Sequence, residues 1–137
     1  MADYREGERL ARQHCDIAAT EADPDLLRQA HYALGNSLFW TGAFATSQAH
    51  LETALALETL PDDATAEPAR DCYGRILPIA VRAYLSATLW FRGEMAALGL
   101  SEQSLALARD FGDPSGRGVG LTFAASLGRW MGAADAA

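Results

Sequence analysis

The sequence predicts an all-α chain built as an array of antiparallel helix pairs, and three observations carry that prediction. Short strings of bulky aromatics ending in glycine recur: Leu38-Phe39-Trp40-Thr41-Gly42, Leu89-Trp90-Phe91-Arg92-Gly93 and Gly128-Arg129-Trp130-Met131-Gly132. Glycine adopts positive φ at little cost, so each string reads as the end of a helix. Gly42 and Gly93 stand 51 residues apart and Gly93 and Gly132 stand 39 apart, within the periods of helical solenoids. The spaces between them are rich in alanine, leucine and arginine, which favour helix, and lack the β-branched alternation of strands.

Six helices follow in order. The first runs from about Asp3, an N-cap, to Glu21, with Leu10, Cys15, Ile17 and Ala18 as apolar positions. Asp23-Pro24 opens the second, because Asp caps free amides and proline loses nothing in a first turn. It carries Leu27, Ala30, Leu34 and Leu38 at helical spacing and stops at Gly42. The third extends from about Phe44 to Thr59. Leu60 to Pro68 is an acidic loop with two prolines. The fourth helix begins between Arg70 and Pro78 and reaches Arg92, with Pro78 either starting or kinking it. The fifth covers Met95 to Asp110. Asp113-Pro114 repeats the earlier start, and the sixth extends to about Met131.

Registering the chain on its glycines sharpens the repeat. Seven residues before them stand Gly35, Ser86 and Ala125, all small, as close helix crossings require. Leu34, Leu85 and Ala124 stand eight before, and Phe44, Met95 and Ala134 two after. Leu34-Gly35, Gly42, Phe44, Leu51 and Ala54 together resemble the tetratricopeptide repeat, whose first helix carries a Leu-Gly pair and whose second carries an aromatic and then alanines. The resemblance implies a right-handed superhelix, with units at about 24–59, 70–110 and an incomplete 114–137, preceded by a helix in 1–22. The turn after Gly93 is one residue shorter than that after Gly42. His31 to Leu57 and Tyr73 to Gly93 further resemble the elongated repeats of large bacterial signalling proteins, the STAND-type ATPases joined to nucleotidyl cyclases and the LuxR-type regulators.

Composition excludes several classes of function. The 137 residues hold 18 acidic and 11 basic side chains, a net charge of −7, and every basic residue is arginine. Such a chain has no basic patch for nucleic acid or an anionic membrane. No apolar run approaches a bilayer span, and Met1-Ala-Asp-Tyr-Arg-Glu lacks a signal-peptide pattern. Cys15 and Cys72, far apart in helical contexts, suit a reduced cytoplasmic protein better than a disulfide.

Catalytic and cofactor motifs are also wanting. His14, His31 and His50 share no metal-ligand spacing and read as packed or solvated. Asp110-Phe111-Gly112 has the letters of the kinase magnesium motif without its lysine, and reads as a helix end. Gly116-Arg-Gly-Val-Gly120 lacks the strand and lysine of a phosphate loop and reads as a first helical turn. Ser37, Ser86 and Ser126 have no sequence-evident base. The expectation is a protein that is no enzyme and needs no metal or cofactor.

The remaining candidate site is the groove that the resemblance assigns to the first helix of each pair. Register puts Gln29, Tyr32, Asn36, Phe39 and Trp40 there in the first unit. The second supplies Ala80, Ala83, Tyr84, Ala87, Trp90 and Phe91, and the third Val119, Thr122, Ser126, Arg129 and Trp130. At least half of the rings should pack in the core, while Tyr32, Asn36 and Arg129 should stand exposed. Asn36 matches the asparagine of carboxylate-clamping arrays, but Tyr32 and Ala83 replace that clamp's cations. An aromatic trough of this kind suits a protein or peptide partner, including another domain of a longer chain, or alternatively a small apolar effector. The final helix is apolar around most of its circumference and lacks a following partner, so a homodimer, by end-to-end stacking or by swapping that helix, is expected.

Overall fold

A computed structural model describes residues 3–58, 76–112 and 114–135, and within them every element is helical. The helices are α1 (Tyr4–Glu21), α2 (Pro24–Trp40), α3 (Phe44–Ala56), α4 (Ile76–Phe91), α5 (Ala96–Phe111) and α6 (Pro114–Asp135). The acidic loop, Cys72, the Asp113 start and Ala134's side chain lie outside the described residues.

Local chemistry sets the boundaries. The Asp3 carboxylate accepts from the Arg5 and Glu6 amides, and Asp23 from those of Asp25 and Leu26, so both aspartates cap as anticipated. Two of the three recurring glycines terminate helices in the same way. Gly42 (φ 80°) donates to the Phe39 carbonyl at 3.0 Å and Ala43 to that of Leu38 at 3.0 Å. Gly93 (φ 77°) donates to Trp90 at 2.9 Å and Glu94 to Leu89 at 2.9 Å. Both are paired turns that satisfy orphan carbonyls and need a left-handed residue. Gly112 (φ 65°) closes α5, so the Asp110-Phe111-Gly112 string is a helix end. The third recurring glycine behaves differently. Gly132 lies inside α6, which runs four residues past the expected Met131, because glycine permits a left-handed turn without imposing one. Pro78 is the third described residue of α4, which runs on from it to Phe91.

Consecutive helices pack on one another, α2 touches α4, and α4 touches α6. The small residues seven before the glycines mark the crossings. A Cβ on Gly35 would come 2.7 Å from Leu51 Cγ, and the Ser47 hydroxyl of α3 donates to the Gly35 carbonyl at 2.7 Å. In the second pair the polarity is reversed: Ser86 of α4 donates to the Ala97 carbonyl of α5 at 2.7 Å. Ser47 follows Gly42 by five residues and Ala97 follows Gly93 by four, the one-residue shortening read from the sequence.

The principal core joins Leu51 and Ala54 of α3, Leu77, Val81, Leu85 and Leu89 of α4, and Ala97 of α5, with Tyr32 of α2. Beside it lies an arrangement the sequence did not disclose. Glu58, just past α3, accepts from both Arg82 guanidinium nitrogens of α4 at 2.9 and 2.5 Å, and Arg28 of α2 lies 4.0 Å away. All three side chains are buried, so their charges compensate one another across three elements.

Candidate functional site

The face formed by α2, α4 and α6 carries a cleft of about 540 Å³. Its walls are Phe39 and Trp40 of α2, Phe44 of α3, Tyr84 and Phe91 of α4, and Phe123 and Trp130 of α6, with Gly42, Thr122 and Ser126 between the rings. These positions converge because the aromatic strings end α2 and α4 at equivalent points, and α6 passes alongside α4.

Phe39 organises the rings. It meets Trp40, Phe44 and Tyr84 edge-on at centroid distances of 5.2, 5.7 and 5.5 Å. Phe44 stacks on Phe91 at 5.0 Å with an interplanar angle of 11°, and Phe91 meets Trp130 at 4.8 Å. Tyr84 meets Phe123 at 4.5 Å. Edge-to-face and offset geometry is what the ring quadrupoles favour, so the walls hold their own shape. Phe39 itself is buried, while Trp40 and Phe91 are about half exposed at the rim.

The polar groups lining the cleft are few: the Trp40 and Trp130 indole N–H groups, the Tyr84 hydroxyl, and the hydroxyls of Thr122 and Ser126. Thr122 donates its hydroxyl to the Gly118 carbonyl and Ser126 to the Thr122 carbonyl, each at 2.8 Å, leaving their oxygens as acceptors. Among the described residues no charged side chain lines the cleft. The chemistry on offer is dispersion, ring stacking and a few hydroxyl and indole groups.

Of the residues picked from sequence, Phe39, Trp40, Tyr84, Phe91, Ser126 and Trp130 line this cleft, and Thr122 joins them. Four others do not. Tyr32, expected to be exposed, is 8% exposed; it belongs to the core and meets Tyr84 edge-on at 6.0 Å. Asn36 is half-buried and donates to the Tyr32 hydroxyl at 3.4 Å, its polarity turned towards the core. Trp90 packs against the main core. Arg129 is exposed as expected but outside the cleft lining. Gln29, Ala80, Ala83 and Ala87 are buried, and Val119 is partly buried and packs against the main core.

Phe44 and Phe123 were missed. Phe44 had been placed in the repeat pattern, though not in the groove, because it opens a second helix. Phe123 stands nine residues before Gly132 as Tyr84 stands nine before Gly93, a register that would have flagged it.

Two of the histidines make a contact that no sequence spacing indicates. His31 of α2 and His50 of α3 face each other with Nδ1 atoms 2.9 Å apart. Partial burial lowers the pKa of both from 6.5, and for His50 the neighbouring His31 and Arg12 charges add to the effect. Among the described residues no group of three His, Cys, Asp or Glu side chains could hold a metal ion. The Cys15 thiol is half-buried and pushed up by burial, which makes it less reactive. No helix of the described residues is long and apolar enough to cross a membrane.

Protein-family models, curated proteins and solved structures give no match to this chain.

Proposed function

We propose that the chain is a non-catalytic helical-repeat binding module, a tetratricopeptide-like right-handed solenoid of units at about 24–59, 70–110 and 114–137, serving a larger bacterial signalling protein. It holds a protein or peptide partner by seating apolar side chains in the α2–α4–α6 cleft. The observation that carries this reading is the cleft itself: rings from α2, α3, α4 and α6 converge on one trough with no charged side chain among the described residues that line it. Aromatic walls of this kind supply large contact area at low entropic cost, the usual makeup of an interface hot spot.

Selection from a displayed random-peptide library tests the proposal. Enriched peptides should carry Trp, Phe or Leu anchors, and Phe91→Ala should weaken them at least about tenfold, the scale of a hot-spot truncation. Enrichment of charged peptides without apolar anchors, or equal affinity for Phe91→Ala, would overturn it.

A second reading, a sensor for a small apolar effector, is favoured by one observation. The cleft's volume of about 540 Å³ falls in the range of small-molecule sites, and its hydroxyl oxygens would accept from a ligand's single donor. Native mass spectrometry separates the two, since a sensor purified with its effector shows added mass.

A further inference from the structure

The first and last of the described helices, α1 and α6, each carry one exposed flank, and the flanks are complementary. On α6, Phe123 and Trp130 turn towards α4 and the cleft, and Gly120 lies against Ser104 and Ala108 of α5. The flank turned away from α4 carries Leu121, 61% exposed, with Ala125, Gly128 and Gly132 beside it. A Cβ on Gly128 or Gly132 would meet nothing. At the foot of this flank a groove of about 360 Å³ runs between α5 and α6, with Leu105, Ala108 and Leu121 as its floor and Arg109 and Arg117 at its rim.

On α1, Ala11 and Ala18 are buried, Ala11 against Leu34 and Leu38 of α2, and Arg12 stands on one side, bonded to Glu8 of its own helix. The opposite side carries Leu10 and Ile17, 52% and 58% exposed, with Glu21 on the same side at the helix end. The two apolar residues are seven apart, as are Ala125 and Gly132, about 10 Å on either helix.

The fold already contains the seat these flanks would form. Ala125 stands seven residues before Gly132, as Gly35 stands before Gly42 and Ser86 before Gly93. At each of the first two positions the next helix crosses closely, Leu51 over Gly35 and Ala97 beside Ser86. Alternation along the chain sets α2 after α1, α4 after α3 and α6 after α5. The helix type that seats on an α2- or α4-like helix is therefore the type to which α1 belongs.

We infer that α1 of a second copy docks antiparallel on the open flank of α6, Leu10 and Ile17 entering the spaces over Ala125, Gly128 and Gly132. The antiparallel sense brings Glu21 of the incoming helix to the Arg109 and Arg117 end. The contact is head-to-tail: one copy uses α6 and the other α1, so each copy retains a free end of either kind. It replaces the alternative of a swapped α6, and it leaves the aromatic cleft open on the other flank.

Sedimentation of the full chain tests this with two variants, each blocking one end. Wild-type mass should rise above the 14.7 kDa monomer with concentration. Leu121→Arg alone and Ile17→Arg alone should remain monomeric at all concentrations, since each loses one half of the only contact. Mixed together they should give a one-to-one dimer that grows no further, the free α6 of the Ile17→Arg chain pairing with the free α1 of the Leu121→Arg chain. Both positions are exposed, so melting curves should match wild type; should either variant unfold, Ala125→Arg with Leu10→Arg, also on the exposed flanks, serves as the pair and is read the same way. A wild-type chain that stays monomeric, a single variant that still self-associates, or a mixture that stays monomeric overturns the proposal.

Discussion

The closest approach in the fold gives the sharpest test of how its helices are held. In Gly35→Ala a Cβ enters 2.7 Å from Leu51 Cγ, 2.9 Å from Leu51 Cδ2 and 3.3 Å from the Ser47 carbonyl oxygen. Leu51 is 0% exposed and lies in the main core, so it has nowhere to rotate, and α3 must move outward. Overpacking of this kind costs about 1–3 kcal/mol. The shift also strains the bond from the Ser47 hydroxyl to the Gly35 carbonyl, worth about 0.5–1.5 kcal/mol. Against these stands the gain of replacing glycine by alanine in a helix, about 0.5–1 kcal/mol. The crossing wins, with a net loss of about 2 kcal/mol and a fall in melting temperature of about 8 °C for a chain of this size. Gly99→Ala is the internal control: it is also helical and exposed, its Cβ meets nothing, and it should stabilise by about 0.5–1 kcal/mol. Gly35→Leu should leave no folded protein. Thermal melts followed by circular dichroism give the comparison. A Gly35→Ala variant melting at or above wild type would mean the α2–α3 crossing is looser than described, and the register built on it would fall.

Two further outcomes follow from the buried polar groups. Glu58→Ala removes the carboxylate that balances the buried Arg82 and Arg28 charges, and chemical denaturation should show a loss of about 3–5 kcal/mol; a loss below about 1 kcal/mol would mean the charges are hydrated. The His31–His50 pair should make stability fall in mild acid. Both pKa values are lowered in the folded chain, so the unfolded chain binds protons first; the stability contributed by the neutral pair is whole above pH 6.5 and is lost as pH drops below it. His50→Gln should flatten that part of the profile, and a variant with the wild-type slope would assign it elsewhere.

What was legible in the sequence was the part written in local chemistry. Asp3 and Asp23 cap because a carboxylate one turn ahead of free amides needs no tertiary help, and Gly42 and Gly93 turn because the chain must leave the helix there. Gly132 shows the limit: its flanking letters match the others, but α6 continues, since stopping a helix depends on what the departing chain packs against. Tyr32 shows another. Its register resembles that of groove residues, and only the position of Tyr84 on α4 decides that it is roofed over. The Arg28–Glu58–Arg82 group was invisible because it joins residues 30 and 24 positions apart through side-chain geometry, with no spacing rule. The His31–His50 contact escaped for the same reason, the pair being 19 apart and on different helices.

The cleft and the core are made of the same rings, and this constrains what the site can be. Phe39 is buried, yet it forms the floor against which Trp40, Phe44 and Tyr84 stand edge-on. A floor that also contributes to folding cannot rearrange freely, because interiors are close-packed and moving one ring disturbs its neighbours. The rim is under less constraint: Trp40 and Phe91 are half exposed, and Trp130 reaches Phe91 from α6. An occupant therefore meets a fixed aromatic base and an adjustable lip, with the Thr122 and Ser126 hydroxyl protons already turned into the helix and no charged side chain among the described residues that line it. Selectivity in such a site comes from shape and from the exclusion of charged groups, whose desolvation nothing in the wall repays. That separates the cleft from the α6 flank on the other side of the same helix, where the arginine rim of the α5–α6 groove favours an acidic helix. One helix thus presents two faces with different chemistry, an uncharged trough towards α4 and a basic-rimmed seat away from it.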